Sequence, residues 1–167
     1  MSNAFWTAIP FASPGDLTRP HGVHNVEPMA FDPNLPFPFY GAPGKIAANK
    51  FVPLTLVGDT QPYGFLQRPY PIRSPNQSDP FFGAVPPTSG VANVMTRGYM
   101  GVKCNAGVPA IQGTVYYRYA NPTGPLPLLG LEATSVGGSN IALLNVQFQG
   151  AADANGLTEI RFGGINQ

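Results

Sequence analysis

The chain is 167 residues long, 43% hydrophobic and only 10% charged, with a formal net charge of +1. That charge content is far below the roughly 25% usual for a soluble domain. It is also spread evenly: residues 1–87 carry five basic and five acidic side chains, residues 88–167 four and three. Neither a basic patch for nucleic-acid phosphates nor a polybasic membrane signal can be built from that distribution. The sequence has no run of about 18 apolar residues for a membrane span. Its N-terminus has neither the basic start nor the apolar stretch of a secretory signal, so intracellular synthesis is expected. Cys104 has no second cysteine to pair with, so an intrachain disulfide and an oxidising compartment are not implied.

Twenty prolines and twenty glycines argue against long helices, because proline removes a backbone donor and glycine adds unfolded-state entropy. One domain is expected at this length, able to bury about two thirds of its unfolded surface. The aromatic content of 11% and the mean hydropathy of −0.02 belong to a folded chain rather than a disordered one.

Residues 1–20 read as an extended arm. Phe5, Trp6, Ile9, Phe11 and Leu17 lie there among Pro10, Pro14 and Gly15. Aromatics on a proline-stiffened segment lose little entropy on docking, which makes these five the candidate contacts to a partner surface or a second protomer. The competing reading folds the arm back over its own core. Sixteen of the twenty prolines fall within residues 10–87. Pro33, Pro36, Pro38 and Pro43 interrupt an aromatic stretch of Phe31, Phe37, Phe39 and Tyr40, which is expected to be extended and polyproline-like. Residues 51–57 are a short strand candidate that Pro53 confines to an edge or a strand start. Pro69, Pro71, Pro75, Pro80, Pro86 and Pro87 mark a second long loop.

From residue 91 the pattern changes to period two. Val94, Thr96, Met100, Val102 and Cys104 share one face, with Met95, Arg97, Tyr99 and Lys103 on the other. Gly98 and Gly101 within this strand suggest a bulge or a close backbone approach. In residues 113–120, Val115, Tyr117 and Tyr119 alternate with Thr114, Tyr116 and Arg118. Leu144, Val146 and Phe148 then oppose Asn145, Gln147 and Gln149, and Thr158, Ile160 and Phe162 oppose Glu159 and Arg161. Asp153, Asn155 and Gly156 suit a turn, so the last two strands should form an antiparallel hairpin around residues 150–156. The predicted organisation is the arm plus one β domain over residues 21–167, irregular and proline-rich to about residue 90. Its fold class is all-β, an antiparallel β-sandwich or jelly-roll-like barrel with long loops.

Motifs for chemistry are weak. His21 and His24 could reach a metal with Asp16, Glu27 or Asp32, but without a second His/Cys pair the simpler reading is a polar loop. Residues 41–45 echo a phosphate loop, yet the run is short, Ile46 replaces the needed hydroxyl and Pro43 removes a cradling N–H; a plain turn is expected. The segment from Arg97 to Lys103 partly matches the aromatic strand of RNA-recognition sheets, a fold whose two helices this chain cannot supply. Cys104 shares the core face and reads as a buried inert thiol. The acids are scattered and no Gly-x-Ser-x-Gly elbow is present. No catalytic residue, metal ligand or cofactor is therefore assigned, and no enzyme activity is expected.

Residues 142–148, the Ala-Ala-Asp-Ala-Asn-Gly run ending at Gly156, and the final strand to Phe162 together resemble the C-terminal part of the capsid cement, or decoration, proteins of tailed bacteriophages. Residues 90–104, with Arg97, Gly98, Tyr99, Met100, Gly101 and Val102, are similar to that family's passage from a loop into a strand. The resemblance implies a β-sandwich or jelly-roll core without catalysis. Its implied partners are the major capsid protein and further copies of the chain itself, a trimer being favoured over a dimer. It places the protein on the outer capsid surface of a virion assembled in the host cytoplasm, cementing neighbouring subunits against internal DNA pressure. The competing class is a glycan- or receptor-binding β module of a phage tail or fibre, for which Trp6 is the sole tryptophan.

Overall fold

Period-two alternation needs a partner on each side of the strand before it buries anything, and here the longest alternating run supplies the scaffold. The computed structural model describes residues 12–19, 22–55, 58–69 and 85–164, which form nine strands and no helix. They are β1 (Asn25–Ala30), β2 (Pro43–Ala47), β3 (Lys50–Pro53), β4 (Gly64–Leu66), β5 (Val91–Ala106), β6 (Thr114–Arg118), β7 (Leu131–Glu132), β8 (Asn140–Phe148) and β9 (Leu157–Phe162). The all-β expectation holds.

The 16 residues of β5 serve two sheets. Over its first half, β1 and β4 flank it on opposite edges, with Glu27 and Leu66 both facing Val94. This sheet runs β3–β2–β4–β5–β1, and a parallel bridge between Phe31 and Phe51 ties its two outer strands together. Over its second half β5 pairs antiparallel with β9, from Gly98 opposite Phe162 to Lys103 opposite Leu157, and parallel with β7 at Cys104. The second sheet follows β5–β7–β6–β8–β9 and returns to β5, a closed five-stranded barrel. Closure removes the unpaired backbone edges that would otherwise recruit other chains.

One core joins both sheets. Phe65 of β4 meets Phe162 of β9 edge-on at 5.5 Å. The expected inward face of β5 is correct for Val94, Met100, Val102 and Cys104. Met95, expected on the outer face, is fully buried as well, because a strand that passes from one sheet into the other turns both faces inward over part of its length. Gly98 and Gly101 produce no register shift against β9. They are sites of close approach: the His24 ring lies over Gly98, whose φ is 135°, and the Ala12 methyl and Ser13 carbonyl lie over Gly101.

The proline-rich half departs from the sequence reading. The aromatic stretch is not polyproline-like; residues 32–42 turn repeatedly, with the Asp32 carboxylate accepting from Asn34 N–H and Asp32 O from Leu35 N–H. The turns aim rings inward, so that Phe37 stacks on Phe51 at 4.8 Å and meets Phe31 edge-on at 6.1 Å. The turn expected at residues 41–45 is confined to Tyr40 and Gly41, and strand β2 starts at Pro43. Strand β3 lies at one end of its sheet and stops at Pro53, where proline's missing N–H does no harm. Val57, at the end of that strand candidate, and Pro71, Pro75 and Pro80 of the second loop lie outside the described residues.

Two face assignments are corrected further along. Arg118, expected outward, is buried because Glu132 of β7 neutralises it. Its Nε donates to Glu132 Oε1 at 2.6 Å and its Nη2 to Oε2 at 3.1 Å. Asn140 of β8 donates to the same carboxylate at 2.6 Å and to Thr134 O at 2.8 Å, so one carboxylate holds three strands. Leu144, expected inward with Val146, is 52% exposed, and Leu143 is buried instead. Asn145 has φ 59°, a left-handed kink that bulges β8 and shifts its phase by one residue. The closing hairpin is as expected: the Asp153 carboxylate accepts from Asn155 and Leu157 N–H at 2.8 and 2.9 Å, and Gly156 takes φ 80°.

The buried pair generates a stability prediction. Arg118→Ala should cost about 3–5 kcal/mol, since it strands the Glu132 charge in the interior, whereas Arg118→Met with Glu132→Leu should cost far less. Urea unfolding monitored by circular dichroism separates the two outcomes.

Candidate assembly surface

Three surfaces distinguish the outside of this fold. The first is the segment that follows the arm. Residues 12–19 lie along β5 on the edge opposite β9: Gly15 N–H donates to Gly101 O at 2.8 Å, Gly101 N–H to Asp16 O at 2.9 Å, and Thr18 N–H to Tyr99 O at 3.3 Å. The Asp16 carboxylate closes the preceding turn by accepting from Ser13 N–H at 2.8 Å. Leu17 bridges Met100 and is half-buried against the core. Phe5, Trp6, Ile9 and Phe11, the other four candidate contacts, lie outside the described residues.

A charged clamp fixes this segment. The Arg19 guanidinium sits 4.3 Å above the Tyr99 ring, a cation–π contact. It donates to both oxygens of Glu159 on β9, at 3.0 and 2.5 Å, and Thr18 Oγ1 donates to Oε1 at 2.5 Å. Burial pushes the Glu159 carboxyl up, but the hydrogen bonds from Arg19 and Thr18 outweigh it and hold the group below its usual value. Tyr99, expected to face outward, thus has one ring face covered by Arg19.

The second surface is a groove of about 490 Å³ beside this segment. Pro14, Phe39, Tyr40, Pro125 and Pro127 wall it, and Val102 and Leu131 contribute from β5 and β7. Its polar lining is Arg68, Lys103, Asn105 and Asn155.

The third surface is an apolar end of the closed barrel, which the sequence reading missed. In the loop joining β5 to β6, Val108 is 85% and Ile111 73% exposed. The loop is pinned in place: Gln112 N–H donates to Phe148 O at 2.8 Å and Gly113 N–H to Ala110 O at 2.9 Å. Ala133 N–H donates to Ala106 O at 2.7 Å, which sets the next loop, with exposed Val136, beside it. The sequence signal is Val-Pro-Ala-Ile lying between two strands, where alternation cannot bury it.

Groups with reactive potential are occupied. Burial raises the Cys104 thiol pKa, and its Sγ–H points at Ala106 O at 3.2 Å. Burial, followed by the field of Asp59, pushes Tyr117 up to about 12. His24 Nε2–H donates to Tyr99 O at 3.1 Å, while His21 lies outside the described residues. The three suggested oxygen ligands are apart and engaged: Asp16 with Ser13, Glu27 with the Tyr63 hydroxyl, and Asp32 with Lys50 at 3.5 Å. Among the described residues no group of three or more His, Cys, Asp or Glu gathers to hold a metal.

The clamp predicts a pH dependence. A carboxyl whose folded pKa is depressed stabilises the fold above its unfolded value, and that contribution is lost as pH falls through the folded one. Below the ordinary value of 4.5, amide-exchange protection at Gly15 and Thr18 should therefore fall. In Glu159→Gln protection should be lower at neutral pH and flat across the same range; an equally flat wild-type profile would contradict the clamp.

No match was found among curated proteins. Among solved structures, a chain of "The capsid of Myoviridae Phage XM1" is similar in fold, with a TM-score of 0.69 and 19% identity over 98% of this chain and 97% of that one. The family described as structural cement protein (E217 gp24/Pam3 gp6) matches residues 2–163. Spanned almost throughout by that match, the chain belongs to the phage structural cement protein family.

Proposed function

We propose that this protein binds the outside of a tailed-phage shell and bridges neighbouring major capsid subunits, adding contact area against the pressure of packaged DNA without performing catalysis. The observation within the fold that supports this reading is the pinned apolar barrel end. Val108 and Ile111 are held out to solvent on a loop whose backbone is already ordered, so docking them costs little further entropy. Few long charged side chains need immobilising at such a surface. Many copies on one lattice then turn modest contacts into a large total.

Self-association, as a trimer in preference to a dimer, belongs to the same proposal, as does a contribution from Phe5, Trp6, Ile9 and Phe11 of the arm. The site of action is the virion's outer surface, reached after assembly in the host cytoplasm. Tyr99 and Tyr117 favour this reading over a glycan-binding module, since one ring is capped by Arg19 and the other is buried.

Co-sedimentation with purified empty shells tests the proposal. Wild-type protein should pellet with shells. Val108→Asp with Ile111→Asp should lower occupancy about tenfold with an unchanged circular dichroism spectrum, and deletion of residues 1–11 should lower it as well. Wild-type protein that stays in the supernatant would contradict the reading.

A further inference from the structure

Where β5, β9 and β8 run side by side, the outer face of the barrel is a polar grid whose rows follow from the pairing. Tyr99 pairs with Arg161 and Arg161 with Gln147, so these three form one row on one face. The next row holds Arg97 on β5, Gly163 just past β9 and Asn145 on β8, with Gly163 N–H donating to Asn145 O at 2.9 Å. Arg97, Asn145, Gln147, Arg161 and Gly163 are all exposed. A Cβ on Gly163 would stand 3.8 Å from Asn145 Cβ, and one on Gly164 would stand 3.8 Å from Arg97 Cβ. The bare Gly163–Gly164 backbone therefore floors a notch with Arg97, Arg161 and Asn145 on three sides. Its floor is pinned, since Asn145 Nδ2 also donates to Gly164 O at 3.3 Å.

The charge in this notch is uncompensated. Neither Arg97 nor Arg161 has an ion pair or a side-chain hydrogen bond among the described residues. Glu159, two residues before Arg161 on the same face, is already held by Arg19 and Thr18. Diagonal cross-strand neighbours stand about 7–8 Å apart, within the reach of two guanidiniums turned toward one anion. Like charges so placed do not stabilise the free sheet, so the pair is arranged for something outside it. Two guanidiniums would neutralise only about two phosphates of a nucleic acid, a contact too weak to hold at physiological salt. A second copy does not fit either, because each of its seven described carboxylates is bonded within its own molecule.

We propose that the Gly163 notch receives an aspartate or glutamate side chain of the shell subunit, held between the Arg97 and Arg161 guanidiniums. This rests on the shell-binding reading above and adds a second contact to it. Arginine forks match the two oxygens of a carboxylate, so the notch selects charge and orientation where the aliphatic barrel end supplies area. Strand β5 carries Arg97 toward one end of the barrel and Ala106, beside the aliphatic loop, at the other, roughly 30 Å apart at ~3.3 Å per residue. A rigid body with contacts that far apart reaches two neighbouring subunits.

Arg161→Lys tests the proposal, because it sets in the notch an amine that zero-length carbodiimide joins to a touching carboxylate. On occupied, nuclease-treated empty shells, mass spectrometry should find position 161 coupled to an Asp or Glu of the shell subunit. Raising the salt to 1 M before coupling should reduce that product several-fold, in keeping with screening of an exposed contact. Arg97→Glu with Arg161→Glu should lower occupancy about tenfold with a wild-type circular dichroism spectrum. Occupied shells with no product at position 161, a product joining it to a second copy, or undiminished occupancy by the double variant would overturn the notch assignment and leave the shell-binding reading standing. Bare shells with wild-type protein would overturn both.

Discussion

Everything in this molecule hangs on one strand that belongs to two sheets. Strand β5 pairs with β1 and β4 over its first half and with β9 and β7 over its second. The first sheet has no other long strand to build on, since β1, β2, β3 and β4 run only three to six residues. The change of partners falls at Gly98, where the absence of a side chain lets the His24 ring pack directly on the backbone. Residues 12–19 then cross the same strand at Gly101, and the Arg19–Glu159 clamp ties that crossing to β9. The core continues without interruption from Phe31 to Phe162 because one piece of backbone runs through it.

Low charge has a structural consequence. With eight acids in the chain, the fold commits every described one to an internal partner: four to cations, two to turn amides and one to a tyrosine. The buried Arg118–Glu132 pair is satisfied by Asn140 and by the backbone around it; without those bonds two charges in the interior would cost more than they return. Exposed outside are the aliphatic residues of the barrel end and a few cations, Arg97, Lys103 and Arg161. A surface of this kind suits broad contact with a repeating lattice better than capture of one small molecule.

Much of the second half was legible because alternation along β5, β6 and β9 is a local property that tertiary packing respected. The closing hairpin was legible for the same reason: Asp153 and Gly156 dictate their turn from within it. The failures have non-local causes. Arg118 reads as a surface residue until Glu132, on a separate two-residue strand, is known to meet it. Leu144 reads as core until the positive φ of Asn145 is known to shift the phase, and asparagine tolerates that conformation without advertising it. Strands β1, β2 and β4 escaped notice because each is short and exists through its pairing, with Pro28 and Pro43 obscuring the pattern. Of the candidate contacts, Leu17 is placed against the core. The groove was invisible because segments distant in sequence create it, whereas the barrel end had a local signal, Val-Pro-Ala-Ile between two strands, that was passed over.

The central claim is that this β scaffold joins neighbouring shell subunits from the outside. A cryo-electron microscopy reconstruction of shells decorated with the protein tests it most directly. The account predicts external density for the two-sheet fold, with the Val108–Ile111 loop against the shell and each assembly touching more than one capsid subunit. Density on the inner surface, or density resting on a single subunit with that loop facing solvent, would contradict it.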